Sequence, residues 1–254
     1  ARATGAGVEP TLVVVLDVSM SMRAADLVPT RLDEAKRQIT AGVDAAFGGR
    51  LASVAFAAEP TLVCPPTTDR AAFGALLDAT SEDAAVAGLS QAGPAVARAL
   101  ALLGDAGGDV LLVSDGEFPD RDRQLLQELA RDAVRRDVRI STLGVGTAAG
   151  APVPVRGSAS GQVQLGQGGQ PLPSRVDAAL LQWLAREGGG QYVELQPGGQ
   201  VDLVAMTERL RLAGATTPAR LHPFGPVSLF GYPLALGLAL LSVEAWIAWR
   251  RGRR

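Results

Sequence analysis

Residues 11–21 read TLVVVLDVSMS, and this stretch decides the fold. Thr11 to Leu16 is an almost unbroken run of β-branched and apolar residues, the pattern of a strand buried on both faces. Asp17 follows at once, so its carboxylate should project from the strand's carboxyl edge. Ser19 and Ser21 alternate with it, so three oxygen-bearing side chains can converge on one point. A second buried run, VLLVSDGEF at residues 110–118, delivers Asp115 to the same edge. In open parallel sheets, ligands bind outside the carboxyl ends of the strands. The loops to inspect are therefore those after residues 16, 113 and 145.

Outward from these two runs, strands alternate with helices. Leu32, Ala35, Ile39 and Val43 sit at helical spacing within residues 31–46. Further strands are expected at 51–57, 61–64, 109–113, 138–145 and 191–194. Helices are expected at 69–78, 94–104, 124–136, 176–186 and 201–212. Residues 151–173, rich in Gly, Pro, Gln and Ser, read as a hairpin or irregular insertion. The alternation predicts a mostly parallel sheet covered by helices on both faces.

Composition narrows the chemistry. The formal net charge of −2 gives no electrostatic reason to expect nucleic acid. Cys64 and His222 are the only cysteine and histidine, which disfavours a disulfide, a cysteine cluster, a His-based zinc site and a Ser-His-Asp triad. Hydroxyls and carboxylates are hard ligands, suited to Mg²⁺, Mn²⁺ or Ca²⁺. Read alone, the Asp-x-Ser-x-Ser spacing is a weak signal, and a polar turn in which a serine caps the next helix is the readier reading. Two buried strands that each bring an acid to one edge favour the metal.

Residues 227–249, VSLFGYPLALGLALLSVEAWIAW, are long and apolar enough for a transmembrane helix, with aromatic residues near both ends. Arg250, Arg251, Arg253 and Arg254 follow and put the C-terminus in the cytoplasm, although Arg209, Arg211 and Arg220 lie on the other flank. Glu244 either reaches the headgroups or an arginine, or meets a partner helix within the membrane. Residues 1–10 carry no apolar signal core, so upstream residues are expected to be missing. The expected organisation is an N-terminal segment at 1–10, a folded domain at 11–212, a linker at 213–226, the span at 227–249 and a basic tail at 250–254.

VVVLDVSMSM followed by VLLVSDG resembles the von Willebrand factor A (VWA) fold with its metal-ion-dependent adhesion site, or MIDAS. More narrowly, residues 17–37, 53–73, 142–155 and 181–195 are similar to the membrane-anchored Bat-type aerotolerance proteins of bacteria. The resemblance implies a Rossmann-like α/β sheet of six strands with Mg²⁺ at its top. It implies Asp17, Ser19, Ser21 and Asp115 as metal ligands. It also aligns Ser90 with the family's ligand threonine, with Leu89 standing where glycine is usual. The alternative role of Ser90 is to cap the helix beginning near Gly93. Bat-type proteins imply MoxR-type AAA+ ATPases and other Bat-type proteins as associates. The few carboxylates of the site leave the metal able to take an acidic group from a partner protein, and the single span with its basic C-terminus places residues 1–220 outside the cytoplasm. No enzymatic activity is expected. A metal-dependent hydrolase using Asp17, or a structural domain with a vestigial site, are the alternatives.

Other features read structurally. Asp26 is placed in a turn, Pro29 before the first helix, and Arg31 and Lys36 on its polar face. Pro65, Pro66 and Asp69 read as a stop and a helix cap. Cys64 reads as a small buried hydrophobe, and Met20 and Met22, which flank the metal loop, read either as buried residues or as an exposed apolar rim for a partner. Residues 144–150, GVGTAAG, lack the spacing of a dinucleotide loop, and there is no Walker A motif.

Overall fold

A computed structural model describes residues 10–46, 49–81, 90–104, 107–155, 162–166 and 168–195. The expected helix at 201–212, the linker, the span at 227–249 with Glu244 and the basic tail lie outside the described residues. Among the described residues, no helix is long and apolar enough to cross a membrane.

Six strands form one sheet in the order β3-β2-β1-β4-β5-β8. They are β1 (Thr11–Asp17), β2 (Arg50–Phe56), β3 (Pro60–Thr67), β4 (Asp109–Ser114), β5 (Arg139–Val145) and β8 (Gly189–Leu195). β3 is antiparallel to β2, and the other pairs are parallel. The expected α/β class, mostly parallel sheet and strand number are found. All seven residues of β1 and all six of β4 are buried. Their side chains alternate between two cores. Leu12, Val14, Leu16, Leu111 and Val113 face one, and Val13, Val15, Val110 and Leu112 face the other. Each such fully buried side chain stabilises the fold by ~1.5–3 kcal/mol.

Helices α1 (Arg31–Ala46) and α2 (Arg70–Asp78) cover the first face. α3 (Ala92–Leu103), α4 (Asp120–Arg135) and α5 (Ala178–Glu187) cover the second. Thr30 starts α1: its Oγ1 accepts from Asp33 N at 3.1 Å and donates to Asp33 Oδ2 at 2.8 Å. Asp69 caps α2 as expected, accepting from Ala72 N at 2.9 Å. The insertion forms a small antiparallel ribbon, β6 (Ala151–Pro152) with β7 (Pro173–Ser174). Cys64 is buried, as expected.

Three expectations are corrected. Pro65 and Pro66 do not stop a strand but lie inside β3, which runs on to Thr67. β3 is an edge strand, where the missing N–H groups cost little. Lys36 is not on a solvated face: it is buried, and its Nζ donates to the carbonyls of Asp78, the last residue of α2, and of Thr80 just beyond it. Arg31 is fully buried at the start of α1.

Topology explains where a site can form. From β1 the chain passes to β2 on one side, whereas β4 pairs with β1 on the other. The connections diverge above β1 and β4 and leave a crevice at their carboxyl ends. Leu16 pairs with Val113, so Asp17 and Ser114 end the two strands side by side.

Candidate metal centre

Asp17 is the hub of this crevice. Its carboxylate is fully buried at the end of β1. Oδ1 accepts from Ser19 N at 2.9 Å, and Oδ2 accepts from Ser114 Oγ at 2.6 Å and Ser90 Oγ at 3.2 Å. Ser19 precedes a short 3-10 turn, Met20–Arg23, that carries Ser21, and Ser19 Oγ lies 3.1 Å from Ser21 Oγ. Met22 is buried while Met20 is half-buried, so of the two only Met20 reaches the surface.

Asp115 follows β4 and is also buried. Its Oδ1 accepts from Glu117 N at 3.2 Å. Its Oδ2 accepts from Arg31 Nη1 at 3.1 Å and from Ser174 Oγ at 3.3 Å, and Ser21 is a further hydrogen-bond partner. Asp17, Ser19, Ser21, Ser90 and Asp115 therefore form one cluster of oxygens. Their chemistry fits a hard cation: two carboxylates and three hydroxyls, with no soft donor in the set. Ser90 does not cap α3. Its hydroxyl turns to Asp17, and the first N–H groups of α3 are taken by Asp122, from α4. Asp122 Oδ2 accepts from Ala92 N and Oδ1 from Gly93 N, each at 2.8 Å. Substituting Asp122 with alanine should cost about 1–2 kcal/mol by loss of this cap, read from the urea midpoint. An unchanged midpoint would mean that α3 starts independently of α4.

Beside the cluster lies a buried ion network that the sequence reading placed elsewhere. Arg31 Nε and Nη2 donate to Asp26 Oδ1 and Oδ2 at 2.7 and 2.9 Å. Nη1 donates to Ser174 Oγ at 2.7 Å and to Ser21 O at 3.5 Å, and Nη2 donates to Ser174 O at 2.9 Å. Asp26 Oδ2 also accepts from Thr147 N and Oγ1 at 2.8 and 2.9 Å. The third loop thus contributes through Thr147. Gly146 makes room for the guanidinium: its φ is +120°, and a Cβ there would lie 2.7 Å from Arg31 Cζ. Helical spacing could not reveal Arg31 because its partners lie up to 143 positions away.

The electrostatics follow. Burial raises the Asp17 pKa above its ordinary value despite its hydrogen bonds. Burial and the nearby Asp17 charge push Asp115 up to about 7. For Asp26, burial acts upward, but the hydrogen bonds and charge of Arg31, with Thr147, outweigh it and lower the pKa. An acid with a raised folded pKa binds more protons folded than unfolded, so its stabilising effect falls as pH rises. Between pH 6 and 8, Asp115 should make the metal-free protein less stable by about 1 kcal/mol as pH rises. Urea denaturation in chelator at the two pH values measures this, and equal midpoints would show that Asp115 stays charged throughout. Asp26 acts oppositely in acid: its contribution is present above pH 3.8 and is lost as pH falls through its lower folded value.

Comparison with known proteins places this geometry. Residues 12–117 match the von Willebrand factor type A domain family. A UPF0353 protein of Mycolicibacterium vanbaalenii is 32% identical over 200 residues, 70% of this chain and 53% of that protein. The chain thus spans about half the length of the curated relatives it matches. The crystal structure of BatB from Bacteroides thetaiotaomicron is 27% identical, with a TM-score of 0.72 over 82% of this chain and 99% of that one. An aerotolerance-related membrane protein from Bacteroides fragilis is 25% identical, with a TM-score of 0.66 over 83% of this chain and 96% of that one. Two more distant structures share the fold alone. One is proximal thread matrix protein 1 of the mussel byssus with zinc in its MIDAS motif, at 16% identity and a TM-score of 0.54 over 82% of this chain and 46% of that one. The other is manganese-loaded Plasmodium vivax TRAP protein, at 12% identity and a TM-score of 0.55 over 80% of this chain and 73% of that one. With its six-stranded sheet and the acids of β1 and β4 at one edge, this chain carries a von Willebrand factor type A domain and is similar to the Bat-type aerotolerance proteins.

Proposed function

We propose that this chain is a membrane-anchored binding module that holds a divalent metal, Mg²⁺ first and Mn²⁺ or Ca²⁺ as substitutes, and uses it to grip a carboxylate of a partner protein. The observation that carries the reading is the convergence of Asp17, Ser19, Ser21, Ser90 and Asp115 at the switch point of the sheet. A bound Mg²⁺ would supply a hard electrophilic centre there. Asp17 gathers the site by accepting from Ser19 N, Ser90 Oγ and Ser114 Oγ. Ser19 and Ser21 present hydroxyls from a turn that begins straight after β1, and Ser90 is presented from the loop before α3. With only two carboxylates in the set, the ion would keep enough charge to take an anionic ligand from outside.

The wider setting belongs to the same proposal. The partners are MoxR-type AAA+ ATPases and other Bat-type proteins, and the process is stress tolerance or maturation of a complex at the bacterial cell membrane. The domain faces away from the cytoplasm on the span at residues 227–249. The likeness to an aerotolerance-related membrane protein supports this setting.

The test is calorimetry of Mg²⁺ and Mn²⁺ on the 254-residue chain, wild type beside Asp17→Ala. Binding in the micromolar-to-millimolar range, abolished by the substitution, is the expected result. No binding by a folded wild-type protein overturns the reading. Mg²⁺-dependent phosphatase turnover that disappears in Asp17→Ala would replace it with a hydrolase.

A further inference from the structure

Arg31 is fully buried, and its guanidinium donates to carboxylates, carbonyls and a hydroxyl. Asp26 lies at 2.7 Å, Asp115 at 3.1 Å, Ser174 Oγ at 2.7 Å, Ser174 O at 2.9 Å and Ser21 O at 3.5 Å. Two of these residues, Asp115 and Ser21, belong to the oxygen cluster itself. Asp115 also feels the like charge of Asp17. A permanent cation is therefore built against Asp115, one of the two buried carboxylates of the cluster.

We infer that Arg31 is the internal counter-cation of the metal centre, and that the pair Arg31–Asp26 sets how weakly a divalent ion is held. The inference rests on the metal-binding reading above. Arg31 lets Asp17 and Asp115 face one another in the metal-free protein. It also opposes an incoming dication, because it competes for Asp115 Oδ2 and repels like charge across a short, poorly screened distance. Asp26 works against it. Its carboxylate takes Nε and Nη2 of Arg31 and is itself held by Thr147 N and Oγ1. It neutralises the guanidinium and draws it away from Asp115.

Arg31 and Asp26 are positioning residues of opposite sign. Removing the charge of Arg31 should tighten metal binding, and removing the charge of Asp26 should weaken it. A merely structural role gives one sign for both, since damage to either side of the network loosens Asp115. Ser174 ties the β6–β7 ribbon to the same switch, because its hydroxyl reaches both Arg31 Nη1 and Asp115 Oδ2.

The experiment is titration of Mg²⁺ and Mn²⁺ into the full chain as wild type, Arg31→Gln and Asp26→Asn. Calorimetry gives the affinity, and the metal-induced shift in melting temperature is the second readout. Arg31→Gln should bind roughly ten-fold tighter or more, and its melting temperature should rise more on adding Mg²⁺ than that of wild type. Asp26→Asn should bind several-fold weaker. Weaker binding by both variants overturns the inference and leaves the metal centre standing. If Arg31→Gln does not fold, Asp26→Asn decides: affinity equal to or above that of wild type overturns the inference. No binding by wild type removes the metal reading and this inference together.

Discussion

Substituting Arg31 with leucine should cost the metal-free protein about 3–5 kcal/mol, the range for removing one partner of a buried ion pair. The guanidinium has no exposed surface, and Asp26 is only 8% exposed. Leucine would leave both oxygens of Asp26 without their main donors and Asp115 Oδ2 without its cation. It would also take the guanidinium donors from the carbonyl and hydroxyl of Ser174, although that hydroxyl keeps Asp115 Oδ2 as an acceptor. Thr147 still donates to Asp26, which limits the damage on that side. Urea denaturation in chelator should show the midpoint falling by the corresponding amount with an unchanged slope. Mg²⁺ should recover part of the loss, because it returns positive charge to Asp115. A loss below about 1 kcal/mol would mean that water reaches these carboxylates once the guanidinium is gone, and that the network is less sealed than its geometry indicates.

The second large effect is expected at Gly108. This residue leads into β4 with φ at +147°, and a Cβ there would sit 2.2 Å from the carbonyl oxygen of Thr11 and 2.7 Å from Leu103 Cδ2. The first obstacle is backbone and cannot rotate away. Gly108→Ala must push the start of β4 from the start of β1, or abandon the left-handed conformation for which glycine is suited. The strain alone is about 1–3 kcal/mol, and the displaced β1–β4 pairing adds to it, so a loss of about 3 kcal/mol or more is expected. The register Leu12–Asp109 through Leu16–Val113 carries Asp17 and the Ser114–Asp115 corner at its far end. The variant should therefore lose metal affinity as well as stability, although it lies at the opposite edge of the sheet. Wild-type affinity in a destabilised Gly108→Ala would show that the two carboxyl ends are held together by their own hydrogen bonds rather than by the register below them.

What could be read from the sequence is what local pattern determines. The apolar runs at 11–16 and 109–113 are buried on both faces, and such runs mark central parallel strands whatever surrounds them. The residue after such a run lies at the sheet's edge by geometry alone, which is why Asp17 and Asp115 could be named. Helix periodicity identified Leu32, Ala35, Ile39 and Val43, all buried in one core. It misplaced Arg31, because a residue in the first turn answers to the loops above the sheet and not to the stripe along the helix. Those loops come from Asp26, Thr147 and Ser174, and no spacing rule connects them. Asp122 was hidden for the same reason. It looks like an ordinary acid in the first turn of its own helix, yet it accepts the first N–H groups of another helix 29–30 residues earlier. Pro65 and Pro66 misled because the penalty for proline in a strand depends on whether a neighbour needs its N–H. That depends on the order of strands, and order is not local.

The three prolines of β3 have a consequence for how these chains can crowd together. An unpaired strand edge is a template on which a second chain can zip. Here three of the eight residues of β3, Pro60, Pro65 and Pro66, have no N–H to offer, and its pairing with β2 slips register between Leu51 and Val54. An incoming strand would meet gaps where it needs donors, on an edge whose own pairing is irregular. Even at very high local density, this side of the sheet should resist growth into filaments.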